Sequence, residues 1–389
     1  MISPQKAFAI LDELDYSKRV VELSLPEARN HILAETVFSP INMPPFRQAT
    51  MDGFAVCLHN SLQYEIVDEV KAGDFYTSEL KPGQAVKIFT GAAVPNSAQA
   101  VIQMEKVTVD DTNLLLQENI NPETNVRQLG AQITKDAIAL GEDTFLNPAA
   151  IGFLTGLGFT KVKVCQKPKV GIVVTGNELI SAGENLTDGK VYESNAIMLQ
   201  TALFGANFNV ISNYRVNDDF ENTKITLKNA INENDVVLVS GGISVGDYDF
   251  VGSALNALNV ETLFYKVNQK PGKPLFAGKL GNKIIFALPG NPAASLTCFY
   301  VYVLPTLQKL SGFDAVYGSK LIKSLAHDFT VDNPRSQFLK ASIIDDEVTV
   351  LPHQDSGMLN SFALANALVY VPNGNYQLLK GDKVSVYLI

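Results

Sequence analysis

The stretch DVVLVSGGISVGDYDF, residues 235–250, sets an unbroken Val-Val-Leu-Val run directly before a glycine-rich loop. Such a run lacks the polar alternation of a half-exposed strand, so it predicts a strand buried on both faces. The same grammar continues in both directions. KVGIVVTG (169–176), FNVISNYRV (208–216) and KIIFALPG (283–290) read as strands. NAIMLQTALFGAN (195–207), FENTKITLKNAINE (220–233), FVGSALNAL (250–258) and PAASLTCFYVYVLPTLQKL (292–310) read as the helices between and after them. Buried strands alternating with helices predict a doubly wound α/β domain with a parallel sheet, here over 168–316. In that architecture ligands bind beyond the carboxyl ends of the strands, near a switch in strand order.

Outside this domain the chain is predicted to be largely β. An amphipathic helix opened by Ser3 and Pro4 comes first, then a short helix and a strand in PEARNHILAETVFSP (26–40). Residues 50–135 alternate short apolar runs with the turns KAGD, KPGQ and NPET, and QAVKIFTGAAVP and QAVIQMEKVTVD read as strands. NPAAIGFLTGLGF (147–159) reads as a helix and KVKVC (161–165) as a strand. The tail returns to short β runs, FLKASII, EVTVLPH, NALVYVP and DKVSVYLI, which suggest a small antiparallel barrel or sandwich. The fold class is therefore multidomain α/β and β, with a central doubly wound domain, mixed and β-rich N-terminal parts, and a small C-terminal β-barrel or sandwich.

Bulk properties exclude several functions. The net charge of −9 argues against a nucleic-acid partner. No run approaches the roughly 18 apolar residues of a membrane span; the most apolar, AASLTCFYVYVLP, carries Ser295 and Thr297 and stops at Pro305, so it predicts a buried helix. Cys57, Cys165 and Cys298 are far apart and, with four scattered histidines, offer no zinc-site spacing. A reducing cytoplasm is the expected compartment. An acidic protein that binds anions must use local lysines, backbone N–H groups or a divalent metal.

Four strand ends carry such chemistry. The first presents Thr175, Gly176, Asn177 and Glu178, followed by a long loop to the potential caps Ser194 and Asn195. In the second, Gly241, Gly242 and Gly246 let backbone N–H groups approach an anion, and Ser244 adds a hydroxyl. Asp247 and Asp249 would repel a bare phosphate unless a cation such as Mg²⁺ bridges them; equally, Asp249 could cap the next helix. The third, YKVNQKPGKPLFAG, has two prolines that favour an extended three-per-turn backbone placing Lys270 and Lys273 on one side, with Lys266 close by. It reads as an anion clamp or as a solvated charged loop. In the fourth, FALPGNPAASL, Asn291 can cap a helix that starts at Pro292, leaving first-turn N–H groups free for an anion.

TGNEL, SGGISVGDYD, KPGKP and LPGNPAAS, in this order, resemble the signature loops of the molybdopterin-binding domain of molybdenum-cofactor biosynthesis. ATMDGFAV (49–56), FTGAAVPNSAQAVIQMEKV (89–107) and the β tail extend the resemblance to the whole chain. The family so resembled is that of the molybdopterin molybdenumtransferases, the MoeA type, also represented in the second half of gephyrin. The resemblance implies insertion of molybdate into adenylylated molybdopterin, with release of AMP and formation of molybdenum cofactor, assisted by Mg²⁺. It implies four subdomains: I at 1–45 plus 137–167, II at 46–136, III at 168–316 and IV at 317–389. It also implies a homodimer whose active site lies between subdomain III of one chain and subdomain II of the other, and a molybdopterin adenylyltransferase as pathway partner.

Carried over by motif, the resemblance makes Asp52, Thr90, Glu178, Asp218 and Asp249 catalytic, with Glu178 and Asp249 as magnesium ligands. Lys266 and Lys270 would meet phosphate or molybdate, Pro289, Gly290 and Pro292 would shape the last loop, and Ser356 would join the substrate site. Lys273 and Arg127 would neutralise ligand charge. Two positions depart from the family pattern: Gln132 stands where an acidic residue is usual, and Asn177 where an aspartate is usual. An amide accepts a hydrogen bond but brings no charge, which keeps a non-catalytic scaffold or molybdopterin-binding paralogue as the alternative reading.

Overall fold

The computed structural model describes residues 1–243, 250–314, 317 and 321–389, and the chain divides into two units, Glu22–Val164 and Met1–Val21 with Cys165–Ile389. Among the described residues no helix is long and apolar enough to cross a membrane.

The unit Glu22–Val164 is built on a six-stranded sheet of β1 (Gly53–Val56), β2 (Gln63–Val70), β3 (Gln84–Ile88), β4 (Ala100–Gln103), β5 (Val107–Asp110) and β6 (Asn113–Leu116), in the order β4-β1-β3-β2-β6-β5. Its two faces carry separate apolar clusters: Ala55, Val86, Ile88 and Val101 on one, Phe54, Val56, Ala85 and Ile102 on the other. The expected turns form where predicted, with Asp74 N–H on Lys71 O, Gln84 N–H on Lys81 O and Thr124 N–H on Asn121 O. QAVIQMEKVTVD differs from its reading as one strand. A 3₁₀ turn at Met104–Lys106 splits it into β4 and β5, which end at opposite edges of the sheet.

The second unit holds the α/β sheet. Strands β7 (Val170–Thr175), β10 (Ile211–Val216), β11 (Val236–Ser240) and β15 (Lys283–Leu288) are parallel, after the short pair β8 (Leu179–Ile180) and β9 (Val191–Tyr192) is set aside. Beyond β15 the sheet continues antiparallel through β14 (Phe276–Leu280) and β12 (Glu261–Tyr265), giving the order β10-β7-β11-β15-β14-β12. The predicted parallel sheet is thus a mixed one: β14 starts inside the stretch that reads as a proline-rich segment, and β12 leads into that stretch. Alternation sends Ile172, Leu238 and Phe286 to one face and Val173, Val237 and Ile285 to the other, so both are buried. Helix α1 (Pro4–Asp12) packs with the first face through Ala7 and Leu11, and Ser3 caps it by accepting from Lys6 N–H. α2 (Asn195–Gly205) covers the same face; α3 (Phe220–Glu233) and α4 (Phe250–Ala257) cover the other.

The apolar run after LPGNP is the expected buried helix, α5 (Pro292–Cys298) passing through a π turn at Phe299–Val303 into α6 (Leu304–Leu310). The π turn ends two residues before Pro305, whose missing N–H cannot close an ordinary α turn onto Val301. The tail forms a closed five-stranded barrel of β16 (Leu321–Leu325), β18 (Ser336–Ile344), β19 (Glu347–Val350), β20 (Ala367–Val371) and β22 (Lys383–Leu388), not wholly antiparallel as expected, since β16 and β19 pair in parallel. Leu339, Ala341, Val348, Val369 and Val386 are among the side chains of its core. β17 (Phe329–Asn333) and β21 (Gly374–Leu378) pair beside it as a ribbon.

Candidate active site

From β7 the chain goes first to β10 on one side and then to β11 on the other, so the switch in strand order lies between β7 and β11. Beyond their carboxyl ends and that of β15 is a cavity of about 810 Å³. Thr175, Gly176 and Glu178 line it from β7, Ser240, Gly241 and Gly242 from β11, and Pro289, Gly290, Asn291 and Pro292 from β15. Gly241 has φ +93°, and a Cβ there would stand 2.5 Å from the Thr175 carbonyl oxygen, so the two strand ends meet only because this residue is glycine.

The structure separates two adjacent aspartates. Asp218 lines the cavity, accepts from the Thr175 hydroxyl at 2.5 Å and from Asn177 N–H at 3.1 Å, and its own N–H donates to Asn177 Oδ1 at 3.1 Å. Asp219 instead caps α3 by accepting from Asn222 N–H. The α2 caps differ from expectation. Ser194 makes no side-chain cap, and Asn195 Nδ2 bridges Ser240 Oγ and Gly290 O, each at 2.7 Å, fastening two strand ends together.

The lysine segment is not the extended proline helix that its sequence suggests. Lys266 has φ +66° and Gly272 φ +89°, outside that conformation. Instead β13 (Gln269–Lys270) adds to the start of β18, with Gln269 opposite Ser336 and Lys270 opposite Gln337. Buried Gln269 supports the turn, donating to Pro271 O at 3.0 Å and accepting from Tyr302 OH. Lys270 and Lys273 line the cavity. Lys266 is not among its lining residues; its ammonium stands 4.6 Å from the Tyr265 ring centre.

The barrel supplies the remaining wall with Arg335, Asp355 and Ser356. Asn291 precedes α5, but its side chain makes no cap and donates to Ser356 Oγ at 2.7 Å. The Ser356 carbonyl takes the Ala294 N–H at 3.2 Å, so one of the helix N–H groups expected to be free for an anion already has a partner. Arg335 and Asp355 were not legible in the sequence, since nothing local marks either residue. The predicted Ser244, Gly246 and Asp249, with Asp247, lie outside the described residues.

Three predicted residues belong to the other unit. Asp52 Oδ1 accepts from the hydroxyl and the N–H of Thr90 at 2.6 and 2.7 Å, and these bonds hold its carboxyl below the usual range. Arg127 is exposed and lies 3.5 Å from Gln48 Oε1, and Gln132 is exposed.

Among the described residues no group of three or more His, Cys, Asp or Glu could hold a metal ion. Mg²⁺ does not require one, since it is commonly held by one or two carboxylates together with substrate phosphates and water. Both Asp218 oxygens are already hydrogen-bonded, whereas Glu178 lines the cavity and its carboxylate makes no such bond among the described residues. That donor set fits a phosphate-bridged Mg²⁺ rather than an all-protein cage.

Comparison with known proteins is consistent along the whole length. The MoeA N-terminal region (domain I and II) matches residues 2–158, the probable molybdopterin binding domain 171–309, and the MoeA C-terminal region (domain IV) 324–389. A molybdopterin molybdenumtransferase of Staphylococcus epidermidis is 31% identical, over 100% of this chain and 95% of its own. That of Staphylococcus aureus strain MSSA476 is 30% identical over 96% and 92%. The crystal structure of a molybdopterin biosynthesis MoeA protein from Pyrococcus horikoshii superposes with a TM-score of 0.82 at 30% identity, covering 100% of this chain and 99% of that one. With all three regions in order and relatives aligned end to end, the chain belongs to the MoeA family of molybdopterin molybdenumtransferases.

Proposed function

We propose that the protein inserts molybdate into adenylylated molybdopterin, releasing AMP and forming molybdenum cofactor. The observation that carries this reading is the cavity at the strand switch, whose lining combines Lys270, Lys273 and Arg335 with Gly241, Gly242, Glu178 and Asp218. Molybdate is a dianion and the other substrate carries a diphosphate, so juxtaposing them without cations is repulsive by several kcal/mol at short range. The three cationic side chains offset that charge, and the glycines let backbone N–H groups approach phosphate oxygens. Asp218, fixed by Thr175 and Asn177, orients the rim. Glu178 with the diphosphate oxygens would hold Mg²⁺, which when bound supplies positive charge to the leaving AMP phosphate. Catalysis on this account is positioning and electrostatics, not covalent attack.

The remaining roles follow the same reading. Asp249, with Ser244 and Gly246, contributes metal and phosphate contacts. Pro289, Gly290, Asn291, Pro292 and Ser356 shape the substrate wall, and Lys266 screens charge from outside the lining. The organisation is four subdomains, 1–45 plus 137–167, 46–136, 168–316 and 317–389, with α1 docked on the third. In a homodimer Asp52, Thr90 and Arg127 of a second copy complete the site. The adenylylated substrate comes from a molybdopterin adenylyltransferase.

The test is to supply adenylylated molybdopterin and molybdate and to follow AMP and mature cofactor. Both products are expected. Neither product would leave the scaffold reading, and consumption of ATP with unadenylylated molybdopterin would make the chain an adenylyltransferase.

A further inference from the structure

Lys340 sits in β18 between Leu339 and Ala341, both part of the barrel core. Alternation therefore turns Lys340 to the outer face, yet only 3% of it is exposed. The loop 353–358 covers it. Lys340 Nζ donates to His353 O at 2.6 Å, Met358 O at 2.9 Å and Asp355 O at 3.3 Å. These bonds use all three donors of the ammonium, and all go to backbone carbonyls rather than to a carboxylate. The main chain of the same residue is tied to the same loop: Lys340 N–H donates to Gln354 Oε1 at 2.9 Å, and Gln354 Nε2 donates to Lys340 O at 2.8 Å. Burial lowers the ammonium's affinity for its proton. A cation taken out of water for three main-chain oxygens is an expensive way to pack a barrel, and an apolar side chain would do that alone. What the arrangement adds is a fixed path for one loop.

That loop carries Asp355 and Ser356 into the cavity wall. Ser356 meets Asn291 through its hydroxyl and Ala294 N–H through its carbonyl. Hydrogen bonds thus tie the barrel strand to loop 353–358, and the same loop through Ser356 to Asn291 and Ala294.

We propose that Lys340 is a positioning residue, which sets loop 353–358 so that Ser356 and Asp355 face the substrate and the loop at 289–292 is held. This rests on the reaction proposed above. The test is a double-mutant cycle on the full chain, with Lys340→Met, Ser356→Ala and both, reading kcat and KM for AMP release. Ser356→Ala is expected to lower kcat/KM about 10-fold alone but less than about 2-fold on the Lys340→Met background, because the hydroxyl there is already misplaced. An equal factor in both backgrounds, or no effect of Ser356→Ala in the wild type, overturns the proposal. Hydrogen exchange gives a readout independent of turnover. Lys340→Met should speed exchange in a peptide covering 353–358 while β20 and β22 keep their protection; unchanged exchange in that peptide also overturns it. If Lys340→Met does not fold, Gln354→Ala, which frees the loop from the same strand, enters the cycle under the same criteria. A wild-type chain that releases no AMP defeats the proposed function instead, and the exchange arm still decides the role of Lys340 in the loop.

Discussion

Gly272 shows how a single residue sets the reach of two lysines. At φ +89°, its added Cβ would stand 2.5 Å from Cys298 Sγ and 2.9 Å from Gln269 Nε2. Gly272→Ala therefore combines a left-handed alanine, about 1–2 kcal/mol, with a clash in a buried spot, and should destabilise by about 2–4 kcal/mol in urea unfolding. A loss below about 0.5 kcal/mol would mean that the turn rearranges freely. Asp218 poses a different question, since its bonds make it both a brace and a site residue. Asp218→Asn can keep its amide oxygen on the Asn177 N–H and turn its NH₂ group to Thr175, whose hydroxyl accepts as well as donates. Exchanging charge-assisted bonds for neutral ones should cost about 1 kcal/mol of stability, while kcat for AMP release should fall at least about 100-fold if its charge serves the reaction. Lost stability with unchanged kcat would reduce Asp218 to a brace.

At the scale of elements, the amino edge of the parallel sheet is fastened by charge. Asp235, directly before β11, accepts from Arg19 Nη1 at 2.8 Å and from Lys169 N–H at 2.7 Å. Burial alone would raise its carboxyl, but the Arg19 guanidinium and the Lys169 N–H outweigh burial and leave it below the usual range. A carboxyl depressed in the folded state adds stability above its unfolded value of about 3.9 and loses it as pH falls through the folded value. Asp235→Asn should therefore lower the melting temperature by a constant amount above about pH 5, and the gap should close below about pH 4. A gap that persists undiminished at pH 3 would refute the charge account. The elements themselves were largely legible. Buried runs such as VGIVV and VVLV can hardly be anything but central strands, and alternation in VSVYL marks a barrel strand. FAGKL and ETLFY were not, because a glycine, a lysine and short length hide strands that exist only by pairing at the edge of a sheet already formed. The lysine turn failed for a related reason: its prolines speak for local extension, but β18, far along the chain, decides its path.

Across the whole molecule, the predicted site residues fall in two sets that the sequence could name but not assemble. Thr175, Glu178, Asp218, Lys270 and Ser356 line one cavity in one unit, while Asp52 and Thr90 form a hydrogen-bonded pair in the other. Arg335 and Asp355 joined the first set only through packing of the barrel, a tertiary effect with no local signature. If the two sets meet between copies, as the proposed homodimer requires, defects in them should complement one another. Asp52→Ala and Lys270→Ala would each abolish AMP release in homodimers. A mixed dimer would hold one site with both defects and one with neither, because a twofold interface exchanges equivalent surfaces. Random pairing makes about half of the dimers mixed, each with one intact site of two, so co-expression should restore about a quarter of wild-type AMP release. Subunits mixed after folding should regain it only as fast as dimers exchange. If both sets serve a site within one chain, every chain in the mixture carries a defect and no activity returns; the homodimeric site would then be wrong although the chemistry stood.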